Sequence, residues 1–287
     1  MKNLRNSTTN HMNCKIDLHI HTNHSDGYYS PIELIQKVKK AGLDIISITD
    51  HDNLSAIHEA ASVGKDFGVE VIPGLEVSSD IGDREVHILG YFVDPGNSEL
   101  ERYLKFFREE RLKRAIRIVN KLKTLGFSIS IEDVLEQAEN SAIGRPHIAQ
   151  AMLEKGLISN YYEAFNKYIG NNCPAYEKKV HISPQSVVKI ISDAGGLSFI
   201  AHPGNMPETL LKELIEEGID GIEVIHPSHS SHQVKFYKGI VNEYFLLESG
   251  GSDFHGGKRE DDGNLGKYCP SVSVLEAMRT RLIKNSA

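Results

Sequence analysis

The chain has 287 residues, 40% hydrophobic and 25% charged, a globular composition long enough for one barrel-sized domain or two smaller ones. A formal net charge of −7 excludes a surface that is basic overall, so any phosphate site must be local and no stable duplex nucleic acid is expected as a partner. Cys14, Cys173 and Cys269 are widely spaced, with no CxxC pair. That excludes a disulfide framework and a thiolate zinc site and fits a cytoplasmic protein, and no apolar run reaches the ~18 residues of a membrane span.

Residues 1–13 are polar and lack the apolar stretch of a signal peptide, so a disordered extension is expected there. A strand is expected at 15–21. Ser30-Pro31-Ile32-Glu33 opens a helix, with Ser30 as cap, Pro31 at the first position and Glu33 closing the box. Ile32, Ile35 and Val38 keep helical spacing, and Gly42 ends the helix. A strand at 45–49, a helix at about 55–67 before Gly68, and strands at 70–73 and 85–92 follow. Ser98-Glu99-Leu100-Glu101 reads as another capping box, opening a long helix to about Leu125. Leu104, Phe107, Leu112, Ile116, Val119 and Leu122 keep its spacing. Further helical pieces are expected at 131–139, 146–154 and 161–168, a helix at 184–194 capped by Ser183, and one at 208–217. The last strands are expected at 196–201, 221–225 and 244–249. Alternating strands and helices predict a largely parallel sheet, open or closed. Residues 98–180 read as an all-helical insertion in an α/β framework made of 14–97 and 181–287.

In either kind of sheet, ligands collect at the C-terminal strand ends. The chain carries 14 His and no Trp, and most of its motif His and acid residues follow short apolar runs. These are His19-Ile20-His21, Ser25-Asp26-Gly27, Thr49-Asp50-His51-Asp52, Gly74-Leu75-Glu76, His87, His202-Pro203 and Asp253-Phe254-His255. Residues two apart on a strand share a face, so His19 and His21 can hold one ion. Each piece alone has an ordinary reading: a satisfied core histidine at 87, a turn at 202, a charged strand end at 50–52. Their joint placement favours a metal cluster. Mixed imidazole and carboxylate donors suit Mn²⁺, Fe²⁺ or Zn²⁺ rather than Ca²⁺. Two close ions can share a bridging water and lower its pKa. Asp50 and Asp52 read equally well as acceptors for ring N–H groups or as solvated acids.

These motifs resemble those of the polymerase-and-histidinol-phosphatase (PHP) family of metal-dependent phosphoesterases. The matching pieces are Asp17–Thr22, Ser25–Gly27, Ile48–Asp52, Gly74–Ser78, His87–Gly90, Ala201–Gly204 and Gly251–His255, spread over nearly the whole chain. The resemblance implies a distorted barrel of about seven β/α units, an α/β fold, and a three-ion site. It implies that His19, His21, Glu76 and Asp253 hold one ion, that Glu76 bridges to a second held with His87 and His202, and that Asp26, His51 and His255 hold the third. A bridging hydroxide would then be held by Glu76, His19, His21, His87, His202 and Asp253.

The expected substrate is small and phosphorylated, a nucleotide or short RNA. Gly144-Arg145-Pro146-His147-Ile148-Ala149 resembles a motif of the nucleotide-active subgroup. Arg145 suits a bidentate grip on phosphate, and His147 would sit near a helix N-terminus. Residues 101–123 carry nine Lys or Arg against three Glu; Arg111 and Arg114 are candidates to face the cleft, although a solvated helix face is the plainer reading. Ser228 and His229, after the strand at 221–225, suit phosphate contact, with His226 and His232 as bystanders. The pattern is similar to bacterial enzymes that remove the 3′-phosphate of nucleoside 3′,5′-bisphosphates or trim short 5′-phosphorylated RNA. The alternatives are a histidinol-phosphate phosphatase, a metal-dependent amidohydrolase, a polymerase-associated accessory domain and a nonenzymatic metal-binding regulator.

Overall fold

A computed structural model describes residues 15–82, 84–138 and 143–285, so the extension expected at 1–13 lies outside the described residues. Strands β1 (Ile16–Ile20), β2 (Ile45–Ile48), β3 (Glu70–Ile81), β4 (Arg84–Tyr91), β5 (Leu197–Ile200), β6 (Gly221–Ile225) and β7 (Leu247–Gly250) form one sheet in chain order. β1, β2 and β3 are parallel, as are β5, β6 and β7, and β4 is antiparallel to both its neighbours. The sheet is therefore mixed where alternation predicted a mostly parallel one. β3 explains the difference. Its expected end, Pro73-Gly74, lies inside the strand, which runs on to Ile81 and turns back at Gly82 with φ 58°. A hairpin replaces a crossover helix, and a hairpin can only join antiparallel strands. The two sheet ends meet where Ile20 pairs in parallel with Phe254 and the His21 N–H donates to the Phe254 carbonyl at 2.9 Å. The architecture is the expected α/β fold of the distorted-barrel kind.

The helices are α1 (Pro31–Lys40), α2 (Ile57–Phe67), α3 (Ser98–Thr124), α4 (Ile131–Ala138), α5 (Arg145–Glu154), α6 (Tyr161–Ala164), α7 (Pro184–Asp193), α8 (Glu208–Glu216), α9 (Ser231–Glu243) and α10 (Val272–Asn285). At α1 the capping box forms as read: Ser30 Oγ accepts from the Glu33 N–H and Glu33 reaches back. At α3 the cap is Asn97, one residue earlier than read. Its Oδ1 accepts from the N–H groups of Glu99 and Leu100 at 3.1 and 3.0 Å, and Asn caps at least as well as Ser. The piece expected at 161–168 is one turn of α6 followed by a π-helical turn, Phe165–Ile169. α9 and α10 went unread, although Ser230 and Gln233 form a reciprocal box at the start of α9.

One group of cores packs around the sheet, with Leu75, Val77, Ile88, Ile200, Ile222 and Val224 in it. β4 and β5 are hydrogen-bonded neighbours although α3 to α7 intervene in the chain, of which α7 packs on the sheet and α3 to α6 form a separate group. That group shares a core of its own, including Ile118, Leu122, Val134, Ile148, Met152 and Ile169.

Candidate metal centre

The candidate ligand side chains reach one place because strand ends and tight loops put them there. His19 lies in β1 and His21 follows it; both are buried. The loop after them is tied down by Asp50, which is also buried. Its carboxylate accepts from the Thr22 N–H (2.7 Å), the Thr22 hydroxyl (2.6 Å) and the Ser25 hydroxyl (2.6 Å). At Gly27 a Cβ would come within 2.6 Å of the His21 carbonyl, so only glycine lets this loop fold back and present Asp26. His51 pairs with Glu76 in an isolated parallel bridge. His87 comes from β4, and His202 follows β5. After β7, Gly251 packs against β1 so closely that a Cβ would lie 2.4 Å from the His19 backbone nitrogen. This contact delivers Asp253 and His255 to the same spot.

His19 Nε2 lies 3.1 Å from His21 Nε2, 3.2 Å from Glu76 Oε2 and 3.3 Å from Asp253 Oδ1. His21 Nε2 lies 3.3 Å from Glu76 Oε2 and 3.2 Å from Asp253 Oδ1. A tetrahedral shell with metal–ligand bonds of about 2.0 Å has edges of about 3.3 Å, so these four donors already have the spacing of one ion's shell. Glu76 Oε1 takes His87 Nδ1 at 2.7 Å and His202 Nε2 at 2.8 Å. The third set is Asp26, His51 and His255, grouped with His21. Asp26 Oδ1, His51 Nδ1 and His255 Nε2 are buried without a hydrogen-bond partner. Such atoms are costly when bare, and a cation satisfies them. The residues present therefore fit divalent ions.

The electrostatics agree. Burial pulls His21 and His87 toward the neutral form, but the carboxylates around them win. Asp253 and Glu76 hold His21 up at about 9, and Glu76 and then Glu85 hold His87 at about 10. Burial pushes the Glu76 carboxyl up, and His51, His87 and His19 together hold it well below the usual range. Burial drives His51 down to about 4. The cluster is a dense set of opposite charges, in which imidazoles and carboxylates hold each other ionised.

Asp50 and Asp52 take neither expected role. Asp50 fastens the 22–25 loop. Asp52 is buried at φ 50° and is paired with Arg111, whose Nε and Nη2 lie 2.9 and 2.8 Å from Asp52 Oδ2. Arg111 also donates to Ser78 Oγ, and Arg108 to the Asp52 carbonyl. This face of α3 is docked on the barrel rim rather than solvated. Arg114 donates to the Glu177 carbonyl at 2.9 Å. Its own burial, and then Arg145 and Arg111 nearby, lower its pKa to about 10. Arg145 donates to the Ile169 carbonyl and to Asn171 Oδ1. His147 Nδ1 accepts from the Gly144 N–H at the start of α5, and the ring feels both Asp26 and Arg111. Arg114 and Arg145 lie within electrostatic reach of each other, and His147, next to Arg145 in the chain, lies within reach of Asp26. A cavity of about 380 Å³ opens against His87 and His202, with Arg84, Glu85, Asn205 and Met206 in its wall.

Ser228 and His229 lie at the expected strand end. His229 Nδ1 donates to the Val224 carbonyl and its Nε2 accepts from the Gly204 N–H. Both ring nitrogens are engaged by backbone, which leaves His229 no donor for a phosphate. Ser228 Oγ is 2.8 Å from His226 Nδ1.

Sequence reading passed over two residues here. His226, taken as a bystander, is buried, and its Nε2 lies 3.4 Å from Asp253 Oδ2. Glu223 is fully buried in β6 against His19. The signal available was a carboxylate in the middle of the apolar run Gly221-Ile222-Glu223-Val224-Ile225, where burial demands a partner.

The PHP domain family model matches residues 17–173. A 3′,5′-nucleoside bisphosphate phosphatase of Chromobacterium violaceum is 34% identical over 84% of this chain and 87% of its own length. A 5′-3′ exoribonuclease of Haemophilus influenzae is 32% identical over 85% of this chain and 91% of its own. Among solved structures, a Bifidobacterium adolescentis protein provisionally described as a metal-dependent phosphoesterase superposes with a TM-score of 0.81. It is 29% identical, and the match covers 93% of this chain and 96% of that one.

Proposed function

The chain belongs to the PHP domain family, and from that premise we propose that this metal-dependent phosphoesterase hydrolyses the 3′-phosphate of nucleoside 3′,5′-bisphosphates to leave the nucleoside 5′-phosphate. The observation that carries the reading is the close-set His19, His21, Glu76 and Asp253 donors, with a basic group of Arg114, Arg145 and His147 that reaches the site through the His147–Asp26 interaction. One phosphate belongs at the ions, and the other is gripped by cations.

In this reading His19, His21, Glu76 and Asp253 hold one ion, Glu76, His87 and His202 a second, and Asp26, His51 and His255 a third, with Mn²⁺, Fe²⁺ and Zn²⁺ all suited to the donors. Such ions supply Lewis acidity toward the phosphoryl oxygens and activate water for attack. The remaining work falls to the chain itself. Glu76 uses both carboxylate oxygens, one toward each of two ligand sets, and so fixes their separation. Arg145, Arg114 and His147 take the second phosphate; their cationic and N–H donors orient the substrate and turn remote binding energy toward the reacting centre. Ser228 offers a hydroxyl at the rim, while His229 holds the turn at Gly204 in place. The cavity beside His87 and His202 gives the nucleoside room.

A second reading, trimming of short 5′-phosphorylated RNA, uses the same two features, because a 5′-terminal phosphate also suits the arginines. Phosphate release by Mn²⁺-loaded protein from adenosine 3′,5′-bisphosphate, AMP, histidinol phosphate and a short 5′-phosphorylated RNA tests both. The account expects release from the bisphosphate with 5′-AMP as product and none from AMP. Turnover of histidinol phosphate with an inert bisphosphate contradicts the substrate assignment.

A further inference from the structure

We propose that Glu223 is a positioning residue that couples two of the ligand sets through one buried carboxylate, an inference that rests on the metal-site reading above. Its Oε1 lies 2.9 Å from His19 Nδ1, and its Oε2 accepts from the His202 backbone N–H at 2.6 Å. His19 belongs to the first ligand set and His202 to the second. Glu223 therefore joins, from behind, the same two sets that Glu76 joins from the front.

Three features give this arrangement physical content. First, an ionised carboxylate can only accept, so His19 must carry its proton on Nδ1. That leaves the Nε2 lone pair facing His21, Glu76 and Asp253. A hydrogen bond from the far ring nitrogen fixes the tautomer and ring angle of a metal-binding histidine and makes it a stronger donor. Second, His202 sits at φ 26°, in the left-handed region that non-glycine residues enter at a cost. The short charge-assisted bond from its N–H to Glu223 Oε2 holds that conformation and with it the approach of His202 Nε2 to Glu76. Third, the sequence makes room for the contact. Alternation along β6 turns Ile222 and Val224 into the apolar core and Glu223 to the other face. β7 lies beside β6, pairs Ser249 with Glu223, and ends at Gly250, with Gly251 next. These small residues let a β6 side chain reach β1.

Glu223→Gln tests the proposal because it keeps size and offers only one accepting oxygen. Its NH₂ group must then oppose either the His19 Nδ1–H or the His202 N–H. Mn²⁺ binding to the purified, folded variant, followed by calorimetry, is expected to weaken about ten- to hundredfold. With bisphosphate substrate at saturating Mn²⁺, kcat is expected to stay depressed while KM moves less than about twofold, as for loss of geometry rather than of substrate contact. Mn²⁺ affinity within about twofold of the parent overturns the proposal, since a carboxylate that merely fills space would leave ion binding unchanged. If the variant does not fold, ¹⁵N-histidine spectra of the parent protein loaded with Zn²⁺ decide. They are expected to show His19 protonated at Nδ1, and protonation at Nε2 overturns the assignment. Neither ion-binding readout depends on turnover. Failure of the phosphoesterase reading would instead show as intact ion binding in a parent protein that hydrolyses none of the phosphoesters.

Discussion

The strand-end cluster and the basic face running from α3 to α5 hold their side chains in different ways. In the cluster, donors meet donors. His19 and His21 lie 3.1 Å from each other and 3.2–3.3 Å from Glu76 and Asp253, and loops pinned by Asp50, Gly27 and Gly251 leave them little freedom. On the basic face, Arg114 and Arg145 lean on carbonyl oxygens of Glu177 and Ile169, contacts that a phosphate can compete with. Geometry is built into the barrel, while recognition is carried by long side chains on the helices between β4 and β5. In this account the first region sets whether hydrolysis occurs and the second sets on what.

The largest effect expected from breaking this division comes from the cluster. His19→Ala or Asp253→Ala should cost several kcal/mol of transition-state stabilisation, on the order of 10³-fold or more in kcat, for every substrate alike. Full hydrolysis with unchanged ion content would sink the account. On the other side, Arg145→Ala or Arg114→Ala should each lower kcat/KM for a nucleoside bisphosphate by about 10- to 100-fold, the worth of one charge-assisted hydrogen bond. A phosphomonoester without a second phosphate should be affected far less, and equal losses on both would erase the proposed division. Where the two regions touch, Arg111→Ala leaves Asp52 buried and unpaired. Because Arg111 is partly exposed, the cost is about 2 kcal/mol, or a Tm fall of about 4–8 °C. An unchanged Tm would mean that the Arg111 contact does not anchor α3.

The smallest effect sharpens the electrostatic half of the comparison. In the ion-free protein, His21 and His87 titrate at about 9 and about 10, above the ordinary histidine value of 6.5. Their stabilising contribution is therefore complete below 6.5 and lost as pH rises through the folded values. Ion binding needs neutral imidazoles, so loading at pH 7 should release protons, and apparent affinity should rise with pH. Calorimetry in two buffers of different ionisation enthalpy measures the release, and zero protons would contradict the assigned charge state.

The sequence made most of the cluster legible because its residues announce themselves locally. HxH, DxH and a glutamate after Pro-Gly place polar side chains at the ends of apolar runs, and period-two geometry does the rest. What stayed hidden was non-local. Glu223 and His226 acquire meaning only when β6 comes to lie two strands from β1. Nothing near Asp52 in sequence points to Arg111, which arrives from α3. His229 looked like a phosphate contact because it is a histidine at a strand end, yet its ring spends both nitrogens on the 204 and 224 backbone. In the fold, the strand at 85–92 was legible but its antiparallel direction was not, because Pro73-Gly74 reads as a breaker, whereas the close approach of Ser47 and Ile48 to Gly74 is what calls for a glycine inside the strand.

The measurement that bears most directly on the central claim is phosphate release from adenosine 3′,5′-bisphosphate by Glu76→Gln at saturating Mn²⁺, with bound ions counted on the same sample. The account predicts turnover at background and fewer ions bound than in the parent, because Glu76 offers one carboxylate oxygen to each of two ligand sets. Parent-level turnover with the parent's ion content would show that the strand-end cluster is not where the chemistry happens.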